Sequence, residues 1–391
     1  LLRIRQWKYG LIKIIGEKVF SELGLYDEKA TSKLTQFGLK LISFISETIN
    51  VAKDNISLTE GQKILTDNFL KKKRIIVYID DLDRGWEGKK EDIIRISALL
   101  NAIRDLSNEN SGLLFKVSLR SDVYYLVRTS DESTDKIEGS VVWCKWTNHE
   151  ILVLLIKRIL TYFGDSVDEN TLMKTPQLHL RFHLERVMES TFSGRGKWEN
   201  VYMYKILMSL IRKRPRDLVK LCSLAAQQAQ QTNSPLIKTE HFQAIFEEYS
   251  QGRIQDTINE YKSELPNIEN LLFGMRPTKK QRNASDGYIY TTAELIQKLN
   301  NIRQHTNFIF KNGRKASANE LAQFLYKINF LTARKIVESG EIQRKYFEEN
   351  RYISSSFVDF GYDWEVHPAF RWVLQPENIN EIFNKLALSH D

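Results

Sequence analysis

Apolar residues recur at three-to-four spacing over residues 11–20, 34–49 and 58–70, a spacing that predicts three helices, the last opened by the capping-box candidate Ser57-Leu58-Thr59-Glu60. The pattern then changes. Lys71-Lys72-Lys73-Arg74 gives way to Ile75-Ile76-Val77-Tyr78-Ile79, a continuous run rich in β-branched residues that stops at acids, as a buried parallel strand does. Residues 91–106 carry a wide apolar stripe (Ile93, Ile94, Ile96, Leu99, Leu100, Ile103, Leu106) that predicts a helix packed back on a sheet. Residues 113–119 predict the next strand and 141–143 another. Strand, helix and strand within about 45 residues is the spacing of a βαβ unit, so the fold class here is α/β.

Beyond Thr147 the strand pattern nearly vanishes. Thr147-Asn148-His149-Glu150 is a capping box opening a helix to Tyr162, Pro215 suits the first position of a helix reaching Gln230, and residues 239–265 form a third long helical stretch. A polar, turn-rich stretch over 274–287 reads as a linker. After it, residues 292–301, 318–327 and 331–338 predict short helices, and 351–356 and 363–367 the two strands of a wing, which together make a winged helix. The expected division is a core over 1–146, a helical lid over 147–273, and a linker with winged helix over 274–391.

Composition narrows the classes of function. The 391 residues are 42% hydrophobic and 27% charged, which excludes a disordered tail, a collagen or a coiled coil. Two cysteines, Cys144 and Cys222, stand far apart, so neither a disulfide framework nor a cysteine-based zinc site is expected, and a reducing cytoplasm fits. The longest aliphatic run, residues 151–156, ends at Lys157-Arg158 and is far short of the roughly 20 residues that cross a bilayer, so no membrane partner is expected. Leu1 and the mixed basic and apolar residues after it lack a signal-peptide layout, and the expectation is a chain that begins inside a longer protein.

The residues that carry chemistry follow the first strand. Ligands in an open parallel sheet sit beyond the carboxyl ends of its strands, so Asp80, Asp81 and Asp83 face a crevice. A nucleotide site needs one carboxylate to hold Mg²⁺ through its water shell and another to orient the attacking water. Asp80 and Asp81 are placed for these two tasks. The alternative is that the acids end the strand and pair with Arg84 and nearby lysines.

The run from Ile76 to Arg84 resembles the Walker B strand of P-loop ATPases of the KAP and STAND class, related to AAA+, in which a second aspartate replaces the usual catalytic glutamate. Asp83-Arg84-Gly85-Trp86 is similar to a subset of bacterial KAP-like members. The resemblance continues through residues 116–122, 146–158 and 212–226, and its specific motifs are the aspartate pair and Arg214-Pro215-Arg216-Asp217. It implies a three-layer α/β P-loop core with a parallel sheet, a helical lid and a winged helix. ATP and Mg²⁺ are the implied cofactors, hydrolysis the implied activity, and a homo-oligomer or an effector protein the implied partner. Such ATPases often serve in bacterial defence against phage, and that setting comes with the analogy.

Three more residues take their roles from the resemblance. Arg120 closes the second strand at the sensor-1 position, with a salt bridge to Asp122 as the alternative. Arg216 matches the sensor-2 helix. A cation in the first turn of a helix is opposed by the macrodipole, so it needs an anion, which a phosphate or Asp217 would supply. His367 lies where the winged helix of such proteins carries a histidine near the β-phosphate, or else is a satisfied structural residue. His179 and His183, four apart, lack a third ligand nearby and read as structural.

A P-loop, GxxxxGK[ST], is absent from the 391 residues: Gly88-Lys89 is followed by Lys90, and Gly196-Lys197 by Trp198. The expectation is therefore an N-terminally incomplete ATPase that does not bind ATP tightly by itself. The rival readings are a winged-helix DNA-binding protein and a non-catalytic scaffold. The first has a charge argument, because residues 274–315 hold nine lysines and arginines against Asp286 and Glu294, nearly the whole +8 of the chain. Lys279, Lys280, Arg282, Arg314 and Lys315 are the expected contacts to DNA phosphates.

Overall fold

The computed structural model describes residues 3–8, 10–11, 14–15, 74–130, 132–279, 281, 287–337, 342–349 and 361–375. The helices expected over 34–49 and 58–70 and the wing strand expected over 351–356 lie outside the described residues. Of the helix expected over 11–20, residues 11, 14 and 15 are described, and they are helical. The chain divides into two compact units, the first ending at Trp143 and the second starting at Cys144. Among the described residues no helix is long and apolar enough to cross a membrane.

The first unit is built on a parallel pair of strands, β1 (Ile75–Ile79) and β2 (Leu113–Val117), in register from Ile75 opposite Leu113 to Ile79 opposite Val117. They are joined by the crossover helix α1 (Lys90–Glu109), so the expected βαβ unit is present. Side chains alternate across a sheet. Ile75, Val77, Ile79, Leu113 and Phe115 therefore share one face, which Leu99, Ile103 and Leu106 of α1 cover together with Leu11 and Ile15. Lys8 ties the amino-terminal helical residues to α1 through Asp105 and Glu109, at 3.4 and 2.6 Å. Trp86 lies in a second cluster between α1 and α2 (Ser121–Ser130).

The opposite sheet face is open. Ile76 is 47% and Tyr78 77% exposed, with Leu114 at 39%, where a continuous apolar run predicted a strand buried on both faces. The described residues thus supply one helical layer against this sheet, and the second layer of the expected three-layer core is not among them. Residues 141–143, expected as a strand, form none. Val142 is 84% exposed, and the segment follows a 3₁₀ stretch (Glu132–Ser140) without reaching a strand to pair with.

The second unit has two hydrophobic cores. The first gathers α3 (Asn148–Tyr162), α4 (Glu169–Lys174), α5 (Gln177–Leu184), α6 (Met203–Leu210) and α7 (Pro215–Gln231) around an aromatic centre of Phe192, Trp198, Phe246 and Trp372. A short antiparallel hairpin of β3 (Thr191–Ser193) and β4 (Glu199–Tyr202), not expected from the sequence, belongs to it. The capping box at Thr147 is present in full. The Glu150 N–H donates to the Thr147 hydroxyl, and the Glu150 carboxylate accepts from the Thr147 N–H at 2.7 Å. Thr147→Ala should therefore lower the stability of this unit by about 1 kcal/mol, read as a shift in its thermal midpoint; an unchanged midpoint would show that the box contributes nothing.

Helix α8 (Thr239–Tyr261) runs through both cores. Phe242 to Tyr249 sit in the first, and Ile254 and Tyr261 in the second. The second core packs α9 (Ile268–Gly274), α10 (Thr292–His305) and α11 (Ala318–Lys327) against a four-stranded sheet. That sheet has the order β5-β8-β6-β7, formed by Ile289–Tyr290, Asp363–Val366, Leu331–Ile336 and Ile342–Lys345. Residues 331–338, expected as a helix, thus begin with a strand. Leu331 to Arg334 pair with β8 and Ala333 to Ile336 with β7, so contacts distant in sequence override local periodicity. The last element among the described residues is α12 (Arg371–Leu374), whose Val373 N–H donates to Ser250 of α8.

Candidate functional site

Because β1 and β2 run parallel, their carboxyl ends lie side by side. The Ser118 N–H donates to the Ile79 carbonyl at 2.9 Å, extending the ladder by one bond and placing Asp80 next to Ser118. The Ser118 hydroxyl and the Asp81 N–H, the latter at 2.9 Å, both donate to the Asp80 carboxylate and hold it below the usual carboxylate range, with Ser118 the larger cause. Asp80 is therefore an exposed, firmly ionised carboxylate at the strand end. Ser118→Ala should move its titration up towards the ordinary value. An NMR pH titration of the Asp80 carboxyl checks this, and an unmoved midpoint would contradict the bond.

Asp81 turns the chain. Its φ of 58° lies in the left-handed region, which aspartate tolerates better than most residues, and it starts a turn in which the Arg84 N–H donates to the Asp81 carbonyl at 3.1 Å. Its side chain is exposed beside Asp80. The third acid is neutralised from the neighbouring strand: Arg120 reaches Asp83 at 3.6 Å and grips Asp122 with two bonds of 2.7 and 3.1 Å. This separates the three acids into two exposed carboxylates and one tied to an arginine, which relieves the repulsion that their spacing implies.

Mg²⁺ is a hard cation that takes one or two carboxylates, keeps several waters and shares substrate phosphates, so it needs no cage of protein ligands. The Asp80 carboxylate with the Ser118 hydroxyl, both hard oxygen donors at an exposed strand end, fits that demand. Among the described residues no group of three or more histidines, cysteines, aspartates and glutamates could hold a metal, the acids after β1 included.

Asp80, Asp81 and Arg120 thus all follow the carboxyl ends of β1 and β2, with Arg120 turned to Asp83 and Asp122, while Arg216 and His367 belong to the second unit. Arg216 is exposed at the second position of α7. Asp217, considered as its local partner, is instead 1% exposed and engaged by two other arginines. It accepts from Arg212 at 2.9 and 3.3 Å and from Arg253 at 2.5 Å. These cations, Arg212 first, hold its carboxyl well below the usual range against the opposing effect of burial. The motif is therefore anchored by its aspartate, which leaves its second arginine at the surface.

His367 is fully buried. Its Nδ1 accepts the Ala369 N–H at 3.1 Å, which assigns the ring proton to Nε2, 3.0 Å from the Tyr346 hydroxyl. Burial, followed by nearby Arg344 and Arg212, pushes its pKa well below the usual histidine value. With both nitrogens used and the ring neutral, His367 in this arrangement is a packing residue with no donor for a phosphate. Of the expected DNA contacts, Lys279, Arg314 and Lys315 are exposed, and Lys280 and Arg282 lie outside the described residues.

The sequence reading missed Ser118. The strand expected over 113–119 placed it inside the strand, whereas β2 ends at Val117, so Ser118 directly follows β2 as Asp80 follows β1.

Residues 178–258, from α5 into α8, match the family described as the FunZ-associated C-terminal helical domain. The chain is also 21% identical over 360 residues to the putative transposon gamma-delta 80.3 kDa protein of Escherichia coli (strain K12), a match covering 86% of this chain and 46% of that protein. The chain therefore spans about half the length of this curated relative. No solved structure matches it.

Proposed function

We propose that these residues belong to a switch ATPase of the KAP and STAND type that hydrolyses Mg²⁺-ATP. The observation that carries the reading is the carboxyl end of the βαβ unit, where an ionised Asp80 and an exposed Asp81 follow β1, and Arg120, three residues beyond β2, reaches Asp83. Bound Mg²⁺ would supply charge neutralisation for the phosphates. Asp80 and Ser118 hold oxygen donors at the strand end for it, and Asp81 accepts a hydrogen bond from the attacking water and orients it. Arg120 carries positive charge at the same edge for the developing phosphate charge, with Asp83 and Asp122 fixing its orientation. Arg216, exposed at the start of α7, carries the sensor-2 role that the family resemblance implies.

The reading requires a phosphate-cradling loop from outside these 391 residues, which contain no GxxxxGK[ST]. Beyond the core, the order α9, β5, α10, α11, β6, β7 and β8, with β8 between β5 and β6 and β7 added at the edge, supports a winged-helix reading of the last part of the chain. A role as a switch in defence against phage, with a homo-oligomer or an effector protein as partner, follows from the family resemblance. A setting among mobile DNA is suggested by the name of the Escherichia coli relative.

The test is Asp81→Asn in the complete protein. The amide keeps the shape and the turn but is a poor acceptor for the water proton, so ATP turnover should fall at least about a hundredfold while ATP binding persists. Undiminished turnover would refute the role of Asp81.

A further inference from the structure

The connection between α10 and α11 carries a feature that ATP hydrolysis does not use. Between Glu294 and Glu320 the chain has no acid, but it has Lys298, Arg303, Lys311, Arg314 and Lys315. Residues 309–315 fold into a tight hairpin: Ile309 bridges Lys315, the Phe310 N–H donates to the Arg314 carbonyl at 2.9 Å, and Gly313, at a φ of 85°, makes the turn. Lys311, Arg314 and Lys315 are exposed on it. Next to the hairpin lies a cavity of about 320 Å³, lined by Asn300, Arg303, Gln304, Thr306, Asn307, Lys315 and the buried Phe308.

Among the described residues no carboxylate lines this cavity. Among the described residues neither Arg303 nor Lys315 has an acid partner within 4 Å, whereas Arg314 is paired with Glu320 and Lys327 with Glu264. Arg303 is braced, since it donates to the Asn300 side-chain oxygen at 3.0 Å, which fixes the guanidinium at the cavity wall. The carboxyl end of α10 adds roughly half a negative charge, and the two full cations outweigh it. An anion is therefore favoured between Arg303 and Lys315. The amides of Gln304 and Asn307 offer donors and acceptors together, which suit the edge of a nucleobase rather than a second phosphate.

We infer that this cavity holds one nucleotide of a single-stranded nucleic acid, its phosphate between Arg303 and Lys315 and its base edge on the amides. Its volume is at the small end of ligand pockets, which run from about 300 Å³ upwards, and this limits the occupant to one residue at a time. The exposed cations of the hairpin extend the basic surface past the cavity. A free mononucleotide would not reach them, but the neighbouring phosphates of a strand would. Duplex is disfavoured because α11, the helix after the hairpin, buries Ala318, Leu321, Ala322, Phe324, Leu325 and Tyr326 and has no free basic face for a groove. The inference is independent of the ATPase reading.

The test is fluorescence anisotropy of the full chain with a labelled 12-nucleotide single strand and with the matching duplex, between 50 and 200 mM salt. The single strand should bind more tightly than the duplex. Arg303→Ala combined with Lys315→Ala should weaken binding by about tenfold or more and lower the salt slope by roughly 1.4, with an unchanged melting temperature. Lys315→Glu, on an exposed turn where folding is not at risk, should weaken it as well. Equal affinity of wild type and Lys315→Glu, absence of binding at 50 mM salt, or duplex affinity matching that of the strand would each overturn the inference. So would displacement of the strand by AMP at concentrations near its own, which would make this a mononucleotide site.

Discussion

Glu365→Gln should cost the second unit about 3 to 5 kcal/mol and lower its thermal midpoint by roughly 10 °C. Glu365 lies on β8 with 1% exposure and accepts from Arg344 at 2.7 and 3.1 Å and from Arg371 at 2.5 Å, with Arg334 at 4.0 Å. Three arginines thus converge on one carboxylate in the interior. An amide of the same shape would remove the charge that Glu365 sets against them, and a guanidinium cannot shed its proton to escape. The arginines, Arg344 foremost, outweigh the desolvation that opposes them and bring the Glu365 carboxyl down to about 2. Against an ordinary 4.5 this corresponds to roughly 3 kcal/mol by linkage, in line with the mutational figure.

The sign of that linkage gives a pH dependence. A carboxylate with a depressed folded pKa stabilises fully above its unfolded value and loses the contribution as pH falls towards the folded one. Stability of the second unit should therefore decline from about pH 4.5 towards 2, and the decline should be shallower in Glu365→Gln. Equilibrium denaturation at stepped pH reads both effects. A wild-type profile that is flat through this window would remove the network from the account of stability.

The second large effect is Asp217→Asn. Asp217 holds the turn before α7 to α8 through Arg212 and Arg253, and Arg212 also donates to Thr257 at 3.1 Å. The amide would leave the buried Arg212 without its carboxylate and Arg253 with Asp256 alone, at 2.8 Å, again a loss of about 3 to 5 kcal/mol. Because the same carboxylate fixes the segment bearing Arg216, the variant should also raise hydrogen exchange in the first turn of α7. Unchanged exchange there, with stability lost, would separate the anchor from the motif it is argued to position.

These anchors were invisible in the sequence for a physical reason. Glu365 meets Arg344 across 21 residues, and Asp217 meets Arg253 across 36, so no local pattern marks the pairs. Asp217 read as a neighbour for Arg216 because adjacency was all that could be seen. Local signals fared differently: the capping box at Thr147, the proline at the first position of α7 and the β-branched run of β1 each resolve within a few residues, and each stands where it was expected. The strand at Leu331–Ile336 read as a helix because its fate depends on β7 and β8, which follow later in the chain. Within the site, the acids after β1 were legible as strand-end residues. That Ser118 sets the charge of Asp80 and Arg120 neutralises Asp83 required the parallel register.

The measurement that bears most directly on the central claim is the Mg²⁺ dependence of ATP hydrolysis by the complete protein, compared with Asp80→Asn. The account predicts metal-dependent turnover whose half-saturating Mg²⁺ concentration rises at least about tenfold in the variant, because one of the few protein oxygens offered to the ion has lost its charge. Turnover with the same Mg²⁺ requirement in both proteins, or a complete protein that does not hydrolyse ATP, would contradict it.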